Sequence, residues 1–152
     1  MGVEIERKFL VTGEEWKAAR GHTYRQGYLS SVKERTVRVR VVEDEAWITV
    51  KGKSEGASRP EFEYPVPVAD ARAMLELCEK PLVDKILRKI PHAGMVWEVD
   101  EFLGENAGLV VAEIELESAD QPFARPAWVG KEVTDDPRYF NSSLARVPWS
   151  RW

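Results

Sequence analysis

Eight short segments in which charged or polar residues alternate with apolar ones predict an α+β domain that is mainly β. Its expected architecture is an eight-stranded antiparallel β-barrel with a few flanking helices. Only Val68–Glu79 carries a clear helical period, and the turns between several neighbouring segments are short. Closure into a barrel is preferred because it leaves no sheet edge exposed.

Val3–Val11 is the first expected strand, with Glu4, Glu6 and Lys8 on one face and Val3, Ile5, Phe9 and Val11 on the other. Thr12-Gly-Glu-Glu15 offers a capping box for a short helix through about Arg20. Thr23–Ser30 puts Tyr24, Gln26 and Tyr28 together, and Thr36–Val42 sets Arg38 and Arg40 against Val37, Val39 and Val41. Ala46–Lys51 groups Trp47, Thr49 and Lys51; after a polar turn, Ser58–Val66 groups Arg59, Glu61 and Glu63. The helix Val68–Glu79 ends before Pro81. Strands resume at Leu82–Ile90, Met95–Leu103 and Leu109–Glu117, the last two separated by a G-E-N-A-G turn. Asp136-Pro137 starts a final short helix through about Arg146, followed by a loosely held tail, Val147–Trp152. One domain over 1–152 is expected.

At 152 residues the chain suits one domain with a sizeable core. Its net charge of −4 shows no basic surplus, which argues against general nucleic-acid binding. A local cluster of bases for an anionic ligand is still compatible with that total. Cys78 is the only cysteine, so an intrachain disulfide is excluded. Without a signal-like start or a long apolar run, no membrane partner is expected, and the cytoplasm is the natural compartment. A homodimer stays open.

The charged faces allow two orientations. In the ordinary one they meet water and the apolar faces form the core. Yet the signs are segregated: Glu4/Glu6, Glu61/Glu63, Glu98/Asp100 and Glu113/Glu115 are acidic, while Arg38/Arg40 is basic. Carboxylates two residues apart sit about 7 Å apart at Cα, so each pair repels by about 2 kcal/mol at an effective dielectric of ~20. In the other orientation the charges face a wet lumen. Paired carboxylates there would hold Mg²⁺ or Mn²⁺ through oxygen, and Arg38, Arg40, Lys51 and Lys85 would neutralise an oligophosphate.

The residues Glu4-Ile5-Glu6-Arg7-Lys8 resemble the N-terminal E-x-E-x-K signature of the CYTH domain, or triphosphate tunnel metalloenzymes. Gln26-Gly-Tyr-Leu, Val37-Arg-Val-Arg, Thr49-Val-Lys-Gly, Glu61-Phe-Glu, Trp97-Glu-Val-Asp, Ala112-Glu-Ile-Glu-Leu and Arg138-Tyr-Phe-Asn resemble further family segments in order. The resemblance favours the inward orientation and implies a tunnel holding Mg²⁺ or Mn²⁺ and a triphosphate. It implies Glu4, Glu6, Glu113 and Glu115 as the main metal carboxylates, with Glu61, Glu63, Glu98 and Asp100 completing the acidic wall by holding a second metal or by orienting water. Lys8, Arg38, Arg40, Lys51 and Lys85 would grip phosphates, and Tyr139-Phe-Asn-Ser matches a helix closing one tunnel end. The bacterial pattern runs roughly K-T-R-Y where this chain has Lys85-Ile-Leu-Arg88. Parity puts Leu87 in the lumen and Arg88 outside, unless a bulge re-registers the strand. Arg59 has lumen parity and either compensates for the missing base or caps the barrel mouth.

His22 and His92 read as solvated loop histidines, and Glu117 as exposed. Tyr28 either hydrogen-bonds near Lys85 or packs in the wall. Trp47 has lumen parity, and the six Trp residues read mainly as outer shell. The implied activity is metal-dependent hydrolysis of inorganic triphosphate to diphosphate and phosphate, with Glu6 and Lys85 as catalytic candidates. The alternatives are adenylyl cyclase, thiamine triphosphatase, or a weakly active polyphosphate- or nucleotide-binding module.

Overall fold

The computed structural model describes residues 2–152. Its strands are β1 (Gly2–Val11), β2 (Gly21–Ser30), β3 (Arg35–Val42), β4 (Glu45–Gly52), β5 (Ser58–Pro65), β6 (Val83–His92), β7 (Met95–Phe102), β8 (Val110–Glu115) and β9 (Val129–Glu132). The order β5-β4-β3-β2-β6-β7-β8-β1 closes through an antiparallel β1–β5 pairing, giving the expected eight-stranded barrel. The ninth strand was not expected. β5 pairs with β1 only over Gly2–Ile5, and β9 takes the same edge from Phe9 to Val11. A bulge between Phe9 and Val11 marks that pairing.

Alternation along the strands is inverted relative to an ordinary sheet, with apolar faces outward. Phe9, Trp97, Ala112 and Ile114 on β1, β7 and β8 pack beneath Trp16 and Trp128. Trp97 meets Phe9, Phe123 and Trp128 edge-on, at ring separations of 5.5, 5.7 and 5.8 Å. This cluster supports the outer-shell reading for Trp16, Trp97 and Trp128. Val39, Val41 and Ala46 are covered by Ala71, Leu75 and Cys78 of the helical face around α1 (Val68–Leu77). Gly27 permits that close approach, because a Cβ there would lie 2.8 Å from the Cys78 Cβ.

A third cluster has lumen parity. Tyr28, Val83, Phe102 and Val111, with Leu10 against them, replace the charges at one end of their strands. Leu144 and Ala145 of α2 (Asn141–Arg146) complete this apolar floor. The expected final helix is therefore divided. A single 3-10 turn over Pro137–Tyr139 precedes α2, and extended Phe140 separates them. Near the N-terminus the expected capping box does not form. Thr12 donates its hydroxyl to the Trp128 carbonyl at 3.3 Å, and the helix is a 3-10 turn over Glu15–Ala18. The C-terminal segment has Trp149 N–H donating to Asn106 Oδ1 at 2.8 Å, while Trp152 stacks edge-on with Tyr139. No helix among the described residues is long and apolar enough to cross a membrane.

β6 keeps an unbroken register with β7 from Lys85 to His92, so no bulge turns Arg88 inward. Arg88 donates to Glu101 at 2.8 Å and to the Ala19 carbonyl at 3.1 Å, with its guanidinium over the Trp16 ring. Replacing it, Arg88→Ala, is expected to destabilise the fold by about 1–2 kcal/mol. Calorimetric unfolding measures this loss. A second prediction concerns Arg7, which makes a two-pronged contact with Glu132 at 2.8 and 2.6 Å. The hydrogen bonds from Arg7 hold the Glu132 carboxyl below the usual carboxylate range. A depressed native pKa stabilises the fold above the unfolded-state value, and that contribution is lost as pH falls through the native value. Glu132→Gln should cost about 0.5–1 kcal/mol at neutral pH, discounted for partial exposure. The difference from the parent protein should shrink below about pH 4 in thermal melts run across pH.

Candidate functional site

Twelve of the thirteen expected site residues line one cavity of about 250 Å³: Glu4, Glu6, Lys8, Arg38, Arg40, Lys51, Arg59, Glu61, Glu63, Lys85, Glu113 and Glu115. Glu98, expected in the acidic wall, joins them. Their placement follows strand order. Bases dominate the arc formed by β4, β3 and β6, and acids the arc formed by β7, β8, β1 and β5. Alternation puts these side chains inside, and the outer apolar shell holds them there.

The two signs interleave where the arcs meet. Lys8 bridges Glu113 at 2.9 Å and Glu6 at 3.2 Å; Lys51 bridges Glu4 at 2.9 Å and Glu61 at 3.5 Å. Arg38 donates to Thr49 at 3.1 Å and to Glu63 at 3.3 Å. Arg40 donates to Gln26 at 2.8 Å, with its guanidinium over the Tyr24 ring. Arg59 donates to the Gly52 carbonyl at 3.2 Å and sits at one mouth. Glu63 and Glu115 are exposed, whereas Glu4, Lys8, Arg38 and Lys85 are buried.

Burial and the charge of Glu113 push the Glu6 carboxyl well above the usual carboxylate range. Burial acts in the same direction on Glu113, but Lys8 and a hydrogen bond from Glu6 hold it well below that range. The two carboxyls meet at the Lys8 ammonium, which contacts both. Burial works against the Lys8 ammonium as well, yet Glu113 and Glu6 outweigh it and raise its pKa. Burial and the nearby carboxylates also raise Glu61, Glu98 and Glu115.

Asp100 is the thirteenth residue. It has lumen parity, but it is fully buried beside Lys85 and does not face the cavity. Its Oδ2 accepts from Lys85 Nζ at 2.7 Å, while Oδ1 has no hydrogen-bond partner. Burial drives the Asp100 carboxyl up to about 7 and the Lys85 ammonium down, against the attraction of the pair. Leu87 stands directly opposite Asp100 in the β6–β7 register. The cavity-lining residue two positions after Lys85 is therefore apolar, and it faces in register a carboxyl with one unpartnered oxygen.

At the α2 end, Phe140, Asn141 and Ser142 line the cavity. Asn141 was not among the expected site residues, although it lies in the Tyr139-Phe-Asn-Ser segment assigned to tunnel closure. Thr36 and Thr134 were also missed. Thr134 follows β9 and reaches the wall by a hydrogen bond from Lys8 N–H, so only the unexpected strand would have revealed it. Beside α2 the cavity continues into a wider opening of about 500 Å³, bounded by Lys33, Lys53, Arg146, Val32, Pro137 and Phe140. His22 is partly exposed and pairs with Glu43 at 2.7 Å; neither histidine lines the cavity. Trp47 does not line it either.

The CYTH domain model matches residues 2–146. An inorganic triphosphatase from Acetivibrio thermocellus is 53% identical over 154 aligned positions, covering 100% of this chain and 99% of that protein. One from Nitrosomonas europaea is 36% identical, covering 93% and 96% respectively. A crystal structure of an inorganic triphosphatase superposes with a TM-score of 0.64 at 33% identity, over 93% of this chain and 96% of that one. With the signature residues placed inside a closed barrel and the family match spanning nearly its whole length, this chain belongs to the CYTH domain family.

Proposed function

We propose that this protein is a divalent-metal-dependent hydrolase that cleaves inorganic triphosphate to diphosphate and phosphate. The observation that carries this reading is the two-sided tunnel, with an arc of Lys and Arg facing an arc of carboxylates across a small polar cavity. Its full-length similarity to inorganic triphosphatases supports the same substrate. The site is built from a single chain, and we place the reaction in the cytoplasm.

The donor set fits Mg²⁺ or Mn²⁺. Seven carboxylates and six bases line the cavity, so the bases alone do not neutralise a polyanion entering beside those acids. Among the described residues, no group of three or more acids forms a metal cage. Mg²⁺ commonly binds through one or two carboxylates together with substrate phosphates, which suits this arrangement. The Lys8 ammonium between Glu6 and Glu113 marks where positive charge is favoured. One or two of Glu4, Glu6, Glu113 and Glu115 would hold the ion, with Glu61 and Glu63 available on the neighbouring strand. When bound, it supplies Lewis-acid polarisation of phosphoryl oxygens.

The chain's own residues supply the rest. Lys8, Arg38, Arg40 and Lys51 bind the phosphate oxygens, and Arg59 meets the substrate at the mouth. Water attacks the terminal phosphorus, a P–O bond forms to it, the bridging P–O bond breaks in line, and both water protons leave on the phosphate product. The bond's electrons and the developing charge go to diphosphate. Lys85 is the group we assign to orient the water or the leaving oxygen, through an N–H directed at that charge. Asp100 is assigned to Lys85 rather than to a metal, because it is fully buried, bonded to that ammonium and does not line the cavity.

Phosphate release from tripolyphosphate with Mg²⁺ or Mn²⁺ tests the reading. Glu6→Ala is expected to lower kcat on the order of 100-fold; equal release by both proteins would overturn the assignment. Leu87→Arg places a base in the cavity lining, at the register position opposite Asp100. It should tighten tripolyphosphate binding about tenfold, consistent with one added charged hydrogen bond. Titration calorimetry measures that gain. The wider opening beside α2, with Val32, Pro137 and Phe140, favours an organic triphosphate as the second reading. A substrate panel of tripolyphosphate, ATP and thiamine triphosphate ranks the two readings.

A further inference from the structure

Four side chains form a hydrogen-bonded chain across the inner end of the tunnel. Arg40 Nε donates to Gln26 Oε1 at 2.8 Å, and Gln26 Nε2 donates to Asn141 Oδ1 at 3.0 Å. Lys85 Nζ donates to the same Asn141 oxygen at 3.1 Å. Arg and Lys can only donate, so both amides have one consistent orientation. Arg40 fixes the oxygen of Gln26 toward itself, which turns the Gln26 NH₂ to Asn141. Lys85 then requires the Asn141 oxygen on the same side. No member of this chain can reverse without two donors facing each other.

Asn141 is also held firmly from behind. It is the first residue of α2, whose Leu144 and Ala145 are fully buried in the apolar floor. Gln26 is fully buried as well. An ammonium has three N–H bonds. Asp100 takes one at 2.7 Å and Asn141 a second, from another element, while Lys85 and Asn141 both line the cavity. Two fixed acceptors determine the direction of the remaining N–H. A neutral acceptor does this without adding a second negative charge where phosphate must approach.

We propose that Asn141 is a positioning residue for the reaction: with Asp100 it aims the third N–H of Lys85 at the phosphoryl group, and through Gln26 it ties that aim to Arg40. This rests on the triphosphatase reading and deepens it. It makes the C-terminal helix part of the reacting arrangement as well as the tunnel's end.

The test is a double-mutant cycle on the full-length chain, using Asn141→Ala, Lys85→Ala and the double variant, with kcat and KM measured on tripolyphosphate and Mg²⁺. Asn141→Ala should lower kcat about tenfold or more with KM changed less than about threefold, as expected for a misdirected group. In the Lys85→Ala background, the same change should cost less than about twofold. Equal losses in both backgrounds would mean that Asn141 acts only on the fold, and would overturn the proposal. Asn141→Asp keeps the acceptor in place and serves where the alanine variant does not fold. It should keep kcat within about threefold while raising KM; a kcat loss of tenfold or more overturns the proposal. If the parent protein binds tripolyphosphate without releasing phosphate, the triphosphatase reading fails by itself. The same cycle is then read on the calorimetric Kd, where non-additive losses support the Asn141 role and additive ones overturn it. A parent protein that neither binds nor cleaves tripolyphosphate overturns both.

Discussion

Charges of both signs buried inside one barrel are the constraint that the rest of this structure satisfies. Taking an ion out of water costs several kcal/mol, which only close counter-charges and hydrogen bonds offset. Here the offset is built by register. Lys8 stands opposite Glu113 and Lys51 opposite Glu61 on paired strands, and each ammonium reaches a second carboxylate, Glu6 on β1 and Glu4 on β1 respectively. A one-residue slip of β1 would turn Glu4, Glu6 and Lys8 outward together. The apolar shell follows from the same parity, because committing one face of each strand to charge leaves the other to build the hydrophobic contacts. Trp97 with its three aromatic neighbours, and α1 over β3 and β4, do so outside the wall.

That division explains which parts of the molecule could be read from sequence. Alternation identifies each strand and the side chains that share a face, since it depends only on the two-residue repeat. It is blind to which face is inside, and the order of family-like segments decided that. Depth is also outside its reach. Glu115 and Asp100 have the same parity on neighbouring strands, yet one is exposed at the mouth and the other completely buried. The difference comes from where the strand ends and from what covers it. β9 was hidden because Val129-Gly-Lys-Glu132 is too short to show a period and exists as a strand through the edge of β1 that β5 leaves open. Thr12 carried a sound capping signal that a tertiary partner, the Trp128 carbonyl, displaced.

The inner end of the tunnel draws these features together. Lys85 is nearly fully buried, and burial works against its charge. Its anionic partner, Asp100, is itself disfavoured as an ion and keeps one oxygen unbonded opposite Leu87. The pair therefore holds its charge less securely than the Lys8 cluster, where two carboxylates outweigh burial. A polyanion in the tunnel adds the stabilisation that Lys85 lacks. A neutral amide is the suitable second acceptor there. Another carboxylate would secure the ammonium without substrate and weaken its hold on phosphate. Lys85 is thus directed by its surroundings but not saturated by them, which suits a group whose strongest interaction should form with the reacting phosphate.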